Sequence, residues 1–442
     1  MENIKNSLKI FNYKLFGTLL LISLLPILYT TLRIFFLGDI PNDWGFNIAS
    51  QLAWVNVIYE VIQEAMILPL FYLIGKSLNN TEDLENKIKT GLIFSFTIYF
   101  IFSVIIFILA KPLLIFMSQK ENIIDISVKY IRIETIAILI SILYKFLSII
   151  FISMNKNKSL LILLFIQMIF TMICDFFLIS GFSFSLKIGV VGIAITNIIV
   201  NTILFITGVY LLRRDNIKII SKNKLSFNWL KEWIKIGSIS GLESFIRNFA
   251  FIIMILKMIN LVQEQGNFWV ANNFIWGWLL LPVMSLGELI KRNTGEKPEK
   301  LNQSLPSYFI ITSIIILFWL VTIPFWNMFI NKVMNIKESF IIFHIVIISI
   351  GFYTIFAYNN VIDSIFYGLG RTDLMLIQSV VINSLFYGTL FILFKLGIFT
   401  PTLNKIAIMF GAGMALDSLL TFIMFWYLKR NNLLKNAIGQ IV

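Results

Sequence analysis

The sequence predicts an all-α polytopic membrane protein: twelve transmembrane helices in two six-helix bundles, related by a pseudo-twofold axis along the membrane normal. Three observations predict it. Of the 442 residues, 58% are hydrophobic and only 13% are charged, where a soluble domain carries roughly 25% charged residues. The apolar residues fall in runs long enough to cross a bilayer, which takes about 20 residues of helix. The pattern of runs then repeats halfway along the chain.

Twelve runs meet the length requirement, at 15–37, 48–75, 91–117, 127–153, 159–180, 188–212, 235–259, 268–290, 307–330, 339–367, 374–396 and 406–428. The first follows Lys5, Lys9 and Lys14 with no small-residue cleavage site after it, so it is expected to stay as a helix rather than act as a secretion signal. Basic residues concentrate in alternate loops: Lys76, Lys87 and Lys89; Lys156 and Lys158; Arg213 to Lys235; Lys291, Arg292, Lys297 and Lys300; Arg371; and Lys429, Arg430 and Lys435. The first intervening loop, GDIPNDWGFN, has two aspartates and no basic residue. Positive charge marks the cytoplasmic side, so both termini are expected there, in the plasma (inner) membrane. Topology also accounts for the net charge of +13, which removes the reason to expect nucleic acid as a partner.

The longest interior break, RRDNIKIISKNKLSFNWLKEWIK, spans 213–235. Phe227, Leu230, Trp233 and Ile234 lie at helical spacing between Lys231 and Lys235, the pattern of a short interfacial helix. The chain therefore divides into an N-terminal bundle (1–212), a cytoplasmic linker (213–234) and a C-terminal bundle (235–442). The halves correspond: VYLLRRDN with FWYLKRNN at an offset of 216, AKPLLIFM with TIPFWNMF at 212, and ISMNKNKSLLIL with FYGLGRTDLMLI at 214. Six helices per half, starting on the same side, make the repeat parallel, and two such bundles form a transporter layout.

Charge inside the bilayer costs about 2.5–3.5 kcal/mol per residue on insertion scales, so each such residue needs a partner, water or a function. The spans contain Arg33, Glu60, Glu64, Glu134, Lys145 and Asp175 in the first half, and Glu243, Arg247, Lys257, Glu288, Asp363 and Asp417 in the second. Asp175, in an otherwise apolar helix, can exchange a proton or hold Na⁺. Glu60 and Glu64 are four apart and can share a proton, bind a cation or partner Arg33. Glu243 and Arg247 have the same spacing with opposite charges, which makes an ion pair within one helix the expectation. Arg33 lies one helical turn and a little more before Gly38, close enough to a helix end to snorkel. The separation of Arg33 and Arg247 also falls within the range of the repeat offsets, so the two are expected as mates, one per bundle. Lys145, Lys257 and Glu288 lie nearer segment ends. Trp54, Tyr59, Trp276 and Trp278 flank the acidic positions of helices two and eight; they can stack on a planar substrate or a cation, with packing and lipid contact the safer reading in a chain that is 15% aromatic. With one cysteine (Cys174), one histidine (His344) and no metal-ligand cluster, neither an intramolecular disulfide nor an enzyme active site is expected. No phosphate-binding Gly-Lys-Ser/Thr loop is present, which removes direct ATP drive.

Four stretches resemble the multidrug and toxic compound extrusion (MATE) family, within the superfamily that includes polysaccharide and lipid-linked oligosaccharide flippases. CDFFLISGF (174–182) is similar to the family's fifth-helix stretch and IGVVGIAITNII (188–199) to the start of its sixth helix. GSISGLESFIRN (237–248) is similar to the opening of its seventh, and FYGLGRTD (366–373) to the loop after its tenth. The resemblance implies a monomeric secondary transporter that exports small organic compounds by alternating access, coupled to H⁺ or Na⁺, with no other cofactor. It implies a coupling role for Asp175 together with an aspartate on helix one, and a functional glutamate at Glu243. The position of that first-helix aspartate is held here by Arg33. An Arg33–Asp175 pair is one consequence left open, and it would weaken Asp175 as a proton carrier. Two arginines within the membrane also open an alternative, a flippase or exporter of an anionic lipid-linked or amphipathic substrate. Asp363 and Asp417 complete the set of substrate- or ion-coupling positions.

Overall fold

The computed structural model describes residues 2–40, 44–75, 77, 80–154, 156–215, 217, 225–296 and 298–430. Lys76, most of the linker's first part, Lys297 and the tail with Lys435 lie outside the described residues. The chain is all-α: among the described residues, ten helices are long and apolar enough to cross a bilayer. Counted as one span, the pair Gln265–Leu279 and Leu281–Gly295, bent by 54°, makes eleven. The bend falls where a π turn (Asn273–Leu279) meets Pro282, two ordinary causes of a kink. Leu52–Gly75 adds 24 helical residues, about 36 Å at the helical rise of about 1.5 Å per residue.

In chain order the helices are α1 (Glu2–Ile10), α2 (Tyr13–Leu37), α3 (Trp44–Ala49), α4 (Leu52–Gly75), α5 (Thr81–Phe116), α6 (Ile124–Ser153), α7 (Asn157–Leu178) and α8 (Val190–Arg214). There follow α9 (Leu230–Phe251), α10 (Lys257–Leu261), α11 (Gln265–Asn272), α12 (Leu281–Glu296), α13 (Leu301–Lys332) and α14 (Ser339–Gly368). The last are α15 (Thr372–Val381), α16 (Gly388–Lys395) and α17 (Leu403–Arg430). π turns at Ile252–Leu256 and Ile382–Tyr387 carry α9 into α10 and α15 into α16.

The repeat is visible in the element bounds. Helices α6 (Ile124–Ser153) and α14 (Ser339–Gly368) both have 30 residues, so one offset relates both their starts and their ends. Their C-terminal caps match as well. The Lys156 amide donates to the Phe151 carbonyl at 2.8 Å, and at the same place in the second copy the Arg371 amide donates to Phe366 at 2.9 Å. In the second copy Gly370 has φ +68° and donates to Tyr367 at 3.1 Å, which completes a Schellman cap at a backbone angle that favours glycine.

Two sequence expectations change. The third span starts at Thr81, well before the apolar run, because Asn80 caps it by accepting from the Glu82 and Asp83 amides. A hydropathy ruler does not register such a polar first turn. The region read as a separate interfacial helix instead opens α9 without a break. Trp233 is 1% exposed, its indole N–H donates to the Met66 carbonyl at 2.8 Å, and it stacks on Trp229 at 4.8 Å. Ser226 and Asn86 exchange two hydrogen bonds, and Trp229 donates to Thr90. Burial of Trp233, with the half-buried Trp229 packed beside it, against α4 and α5 outweighs the amphipathic pattern.

By contact the chain forms two compact units: Tyr29–Gly266, and Met1–Leu28 together with Asn267–Val442. These units do not follow the repeat, because α9 belongs with the first. Glycines make that possible. A Cβ at Gly241 would lie 2.7 Å from Ala65 Cβ, and one at Gly237 would run into the Ala65 carbonyl. The GSISG stretch is thus a small-xxx-small face that lets α9 approach α4 backbone to backbone.

Candidate functional site

In the first unit, α2, α6, α7 and α8 bring four polar side chains together. Arg33 Nε donates to Asp175 Oδ2 at 2.7 Å and Arg33 Nη2 to Asp175 Oδ1 at 3.3 Å. The side chains are 15% and 1% exposed. This forked contact answers the open question: Arg33 turns to Asp175 instead of snorkelling, because a buried bidentate pair satisfies a guanidinium better than a reach to the helix end. The same Nη2 donates to Asn197 Oδ1 at 3.3 Å, and Asn197 Nδ2 donates to Glu134 Oε1 at 2.8 Å. Glu134 is 4% exposed and its Oε2 is buried with no hydrogen-bond partner.

A second group in this unit joins α4 and α9. Arg247 Nη2 lies 2.8 Å from Glu64 Oε1, and Arg247 Nη1 lies 3.5 Å from Glu60 Oε1. Arg247 is 40% exposed, so these pairs are far less enclosed than Arg33 with Asp175. Glu60 and Glu64 therefore partner Arg247, not Arg33, since the glycine face of α9 brings Arg247 onto α4. Glu243 sits one turn before Arg247 on the same helix, and its side chain lies outside the described residues. Arg33 and Arg247 both lie in the compact unit Tyr29–Gly266 and have unrelated partners. Both guanidinium groups engage carboxylates of their own unit, which removes the ground for an anionic-substrate site.

In the second unit, α14, α15 and α17 converge on two acids. Asn359 Nδ2 donates to Asp363 Oδ2 at 2.8 Å, and Thr421 Oγ1 donates to Asp363 Oδ1 at 3.4 Å. Gln378 Nε2 donates to Asp417 Oδ2, and Thr421 Oγ1 also contacts the Asp417 carbonyl at 3.2 Å. Asn359 and Gln378 are 0% and 2% exposed, and their side-chain oxygens have no hydrogen-bond partner. The acids feel each other electrostatically, and Lys291 exerts a weaker attraction on Asp363. Lys291 itself bonds Glu288 at 2.7 Å.

The remaining membrane charges have local explanations. Lys145 donates to Gln63 at 2.7 Å, and Lys257 sits 3.7 Å from the Phe116 ring centroid. Trp54 donates to Gln51, and Tyr59 shares a 2.6 Å hydrogen bond with Ser103, so both serve the interior. Glu134, Asn197, Asn359, Gln378 and Thr421 join the sites without having been singled out from sequence as functional. Two of them had a readable signal: Asn359 precedes Asp363 by four positions and Thr421 follows Asp417 by four, one helical turn each.

The MatE family model matches residues 73–177, which takes in α5, α6 and α7 up to Asp175 and just beyond. The whole chain superposes on solved transporters. One, described as the inward-facing conformation of a multidrug resistance MATE family transporter of the MOP superfamily, is 16% identical, with 98% of each chain covered and a TM-score of 0.67. The chain has the fold of the MATE transporters. A MATE structure in the bent conformation gives 16% identity, 99% coverage of each chain and a TM-score of 0.66. An outward-facing conformation of a multidrug resistance MATE family transporter gives 16%, coverage of 93% of this chain and 96% of that one, and 0.60. No curated protein matches this MATE-fold chain by sequence.

Proposed function

We propose that this chain is a secondary active exporter of small organic compounds, a transporter and not an enzyme. It works by alternating access and is coupled to a proton or sodium gradient. On this reading twelve helices, in the two repeat-related halves, cross the plasma membrane with both termini cytoplasmic, and the chain works as a monomer.

The observation that carries the reading is the Asp363–Asp417 group. The hydrogen bonds to Asp363 come from neutral donors, Asn359 and Thr421, and Gln378 supplies another to Asp417. Two carboxylates in apolar surroundings repel, and one proton or one small cation between them relieves the repulsion. The orphaned oxygens of Asn359 and Gln378 supply two further acceptors beside them. Such a site is loaded on one side of the membrane and emptied on the other, and differential loading is what couples an ion to a conformational change. In the first unit the corresponding work cannot fall to Asp175 while Arg33 occupies both of its oxygens.

Efflux of a lipophilic dye from proteoliposomes, with proton and sodium gradients imposed separately, tests this. The reading expects gradient-driven flux in the wild type and flux at the level of empty liposomes in Asp363→Asn and Asp417→Asn. Equal flux with and without any gradient would contradict it.

A further inference from the structure

We propose that Glu134 is a proton-exchanging site of the first unit, on the far side of Asn197 from the Arg33–Asp175 pair. The proposal rests on the ion-coupled reading above and adds to it a second place where a proton is bound.

The geometry runs in one direction along a chain of four groups. Arginine has only donors, so Asn197 presents its oxygen to Arg33 and its NH₂ to Glu134. Glu134 therefore receives one hydrogen bond, at Oε1, and Oε2 receives none. Buried polar side-chain atoms nearly always have a partner. A bare carboxylate oxygen at so enclosed a position is costly, whereas an Oε2–H carries no net charge. Asp175 is the opposite case, with both oxygens engaged by a guanidinium that never gives up its proton.

The groups around Glu134 leave it this role. On α6 itself the titratable neighbour is Tyr130, from α2 it is Arg33, and from α4 it is Tyr59, whose hydroxyl is engaged with Ser103. Asp175 on α7 is neutralised by Arg33, and α8 contributes Asn197, which does not titrate. The position of α14 that corresponds to Glu134 of α6 is Ser349, so the second half has no acid there and the repeat does not require one. On release, the Oε2–H bond breaks, the proton passes to water as hydronium, and the new carboxylate faces the Asn197 amide and the Arg33 charge. No other bond changes.

Infrared spectroscopy of the purified full chain in detergent, titrated with pH, reads the carbonyl stretch of protonated carboxyl groups without any transport. Glu134→Gln should remove one component of that band and cut proton release across the titration by about one per molecule. Asp175→Asn should leave the component in place. Because glutamine copies the neutral carboxyl, Glu134→Gln should also melt within about 2 °C of the wild type. An unchanged band, a component lost instead in Asp175→Asn, or a Glu134→Gln variant that melts far lower or does not fold would each overturn the proposal. If the Glu134 component is present and no gradient drives flux, the exporter reading fails and this site stands. If flux is coupled and the component is absent, the reverse holds.

Discussion

Replacing Arg33 with methionine keeps much of the side-chain length and removes the charge from the most enclosed ion pair among the described residues of the first unit. Asp175 is 1% exposed and Arg33 15%, so water screens the pair weakly. Two charge-assisted hydrogen bonds, at 2.7 and 3.3 Å, are lost together with the contact to Asn197. Each such bond is worth about 1.5–3 kcal/mol, and removing one member of a buried pair costs about 3–5 kcal/mol because the other charge is left stranded. Arg33→Met should therefore lose about 3–5 kcal/mol on that ground. The double variant Arg33→Met/Asp175→Asn should recover most of that loss, since neither charge remains, to give a coupling energy above about 2 kcal/mol. Thermal unfolding in detergent, followed by tryptophan fluorescence across the four-protein cycle, measures both quantities. An Arg33→Met variant no less stable than an ordinary surface substitution, within about 0.5 kcal/mol of the wild type, or losses that simply add, would refute the buried-pair reasoning.

Three further outcomes follow from the packing. Gly241→Leu should destabilise the α4–α9 contact by about 1–3 kcal/mol, because even a Cβ there meets Ala65 Cβ at 2.7 Å; the smaller Gly241→Ala should be rescued by Ala65→Gly in the same melting assay. Arg247→Met should cost no more than about 1 kcal/mol, since its partners are 43% and 23% exposed and its own side chain 40%; a loss as large as that of Arg33→Met would show that this pair is the structural one. Gly370→Ala places a side chain at φ +68°, a cost of about 1–2 kcal/mol, visible as faster proteolysis of the loop between α14 and α15.

The sequence carried the fold class and the repeat in full view, because both depend on hydropathy and spacing. Two helices of 30 residues at matching places in the halves are the structural form of the matching turns ISMNKNKSLLIL and FYGLGRTDLMLI. The polar start of α5 was hidden because its signal is a cap, not an apolar run. The site was legible residue by residue and in part in its pairings: the sequence left Arg33 with Asp175 open as a pair, whereas Arg247 with Glu64 joins positions far apart in the chain and on different helices. Helical spacing alone does not show that the glycine face at Gly237 and Gly241 also brings Arg247 within reach of α4. Glu134 stood among the membrane charges with nothing local to mark it, since its meaning depends on which oxygen Asn197 leaves bare.

The most direct test of ion-coupled export is dye flux in proteoliposomes under an imposed gradient, compared between the wild type and Asp363→Asn. Flux that follows the gradient in the wild type and vanishes in the variant is the predicted result. Wild-type flux that ignores both gradients, or an Asp363→Asn variant that follows them unchanged, would contradict it.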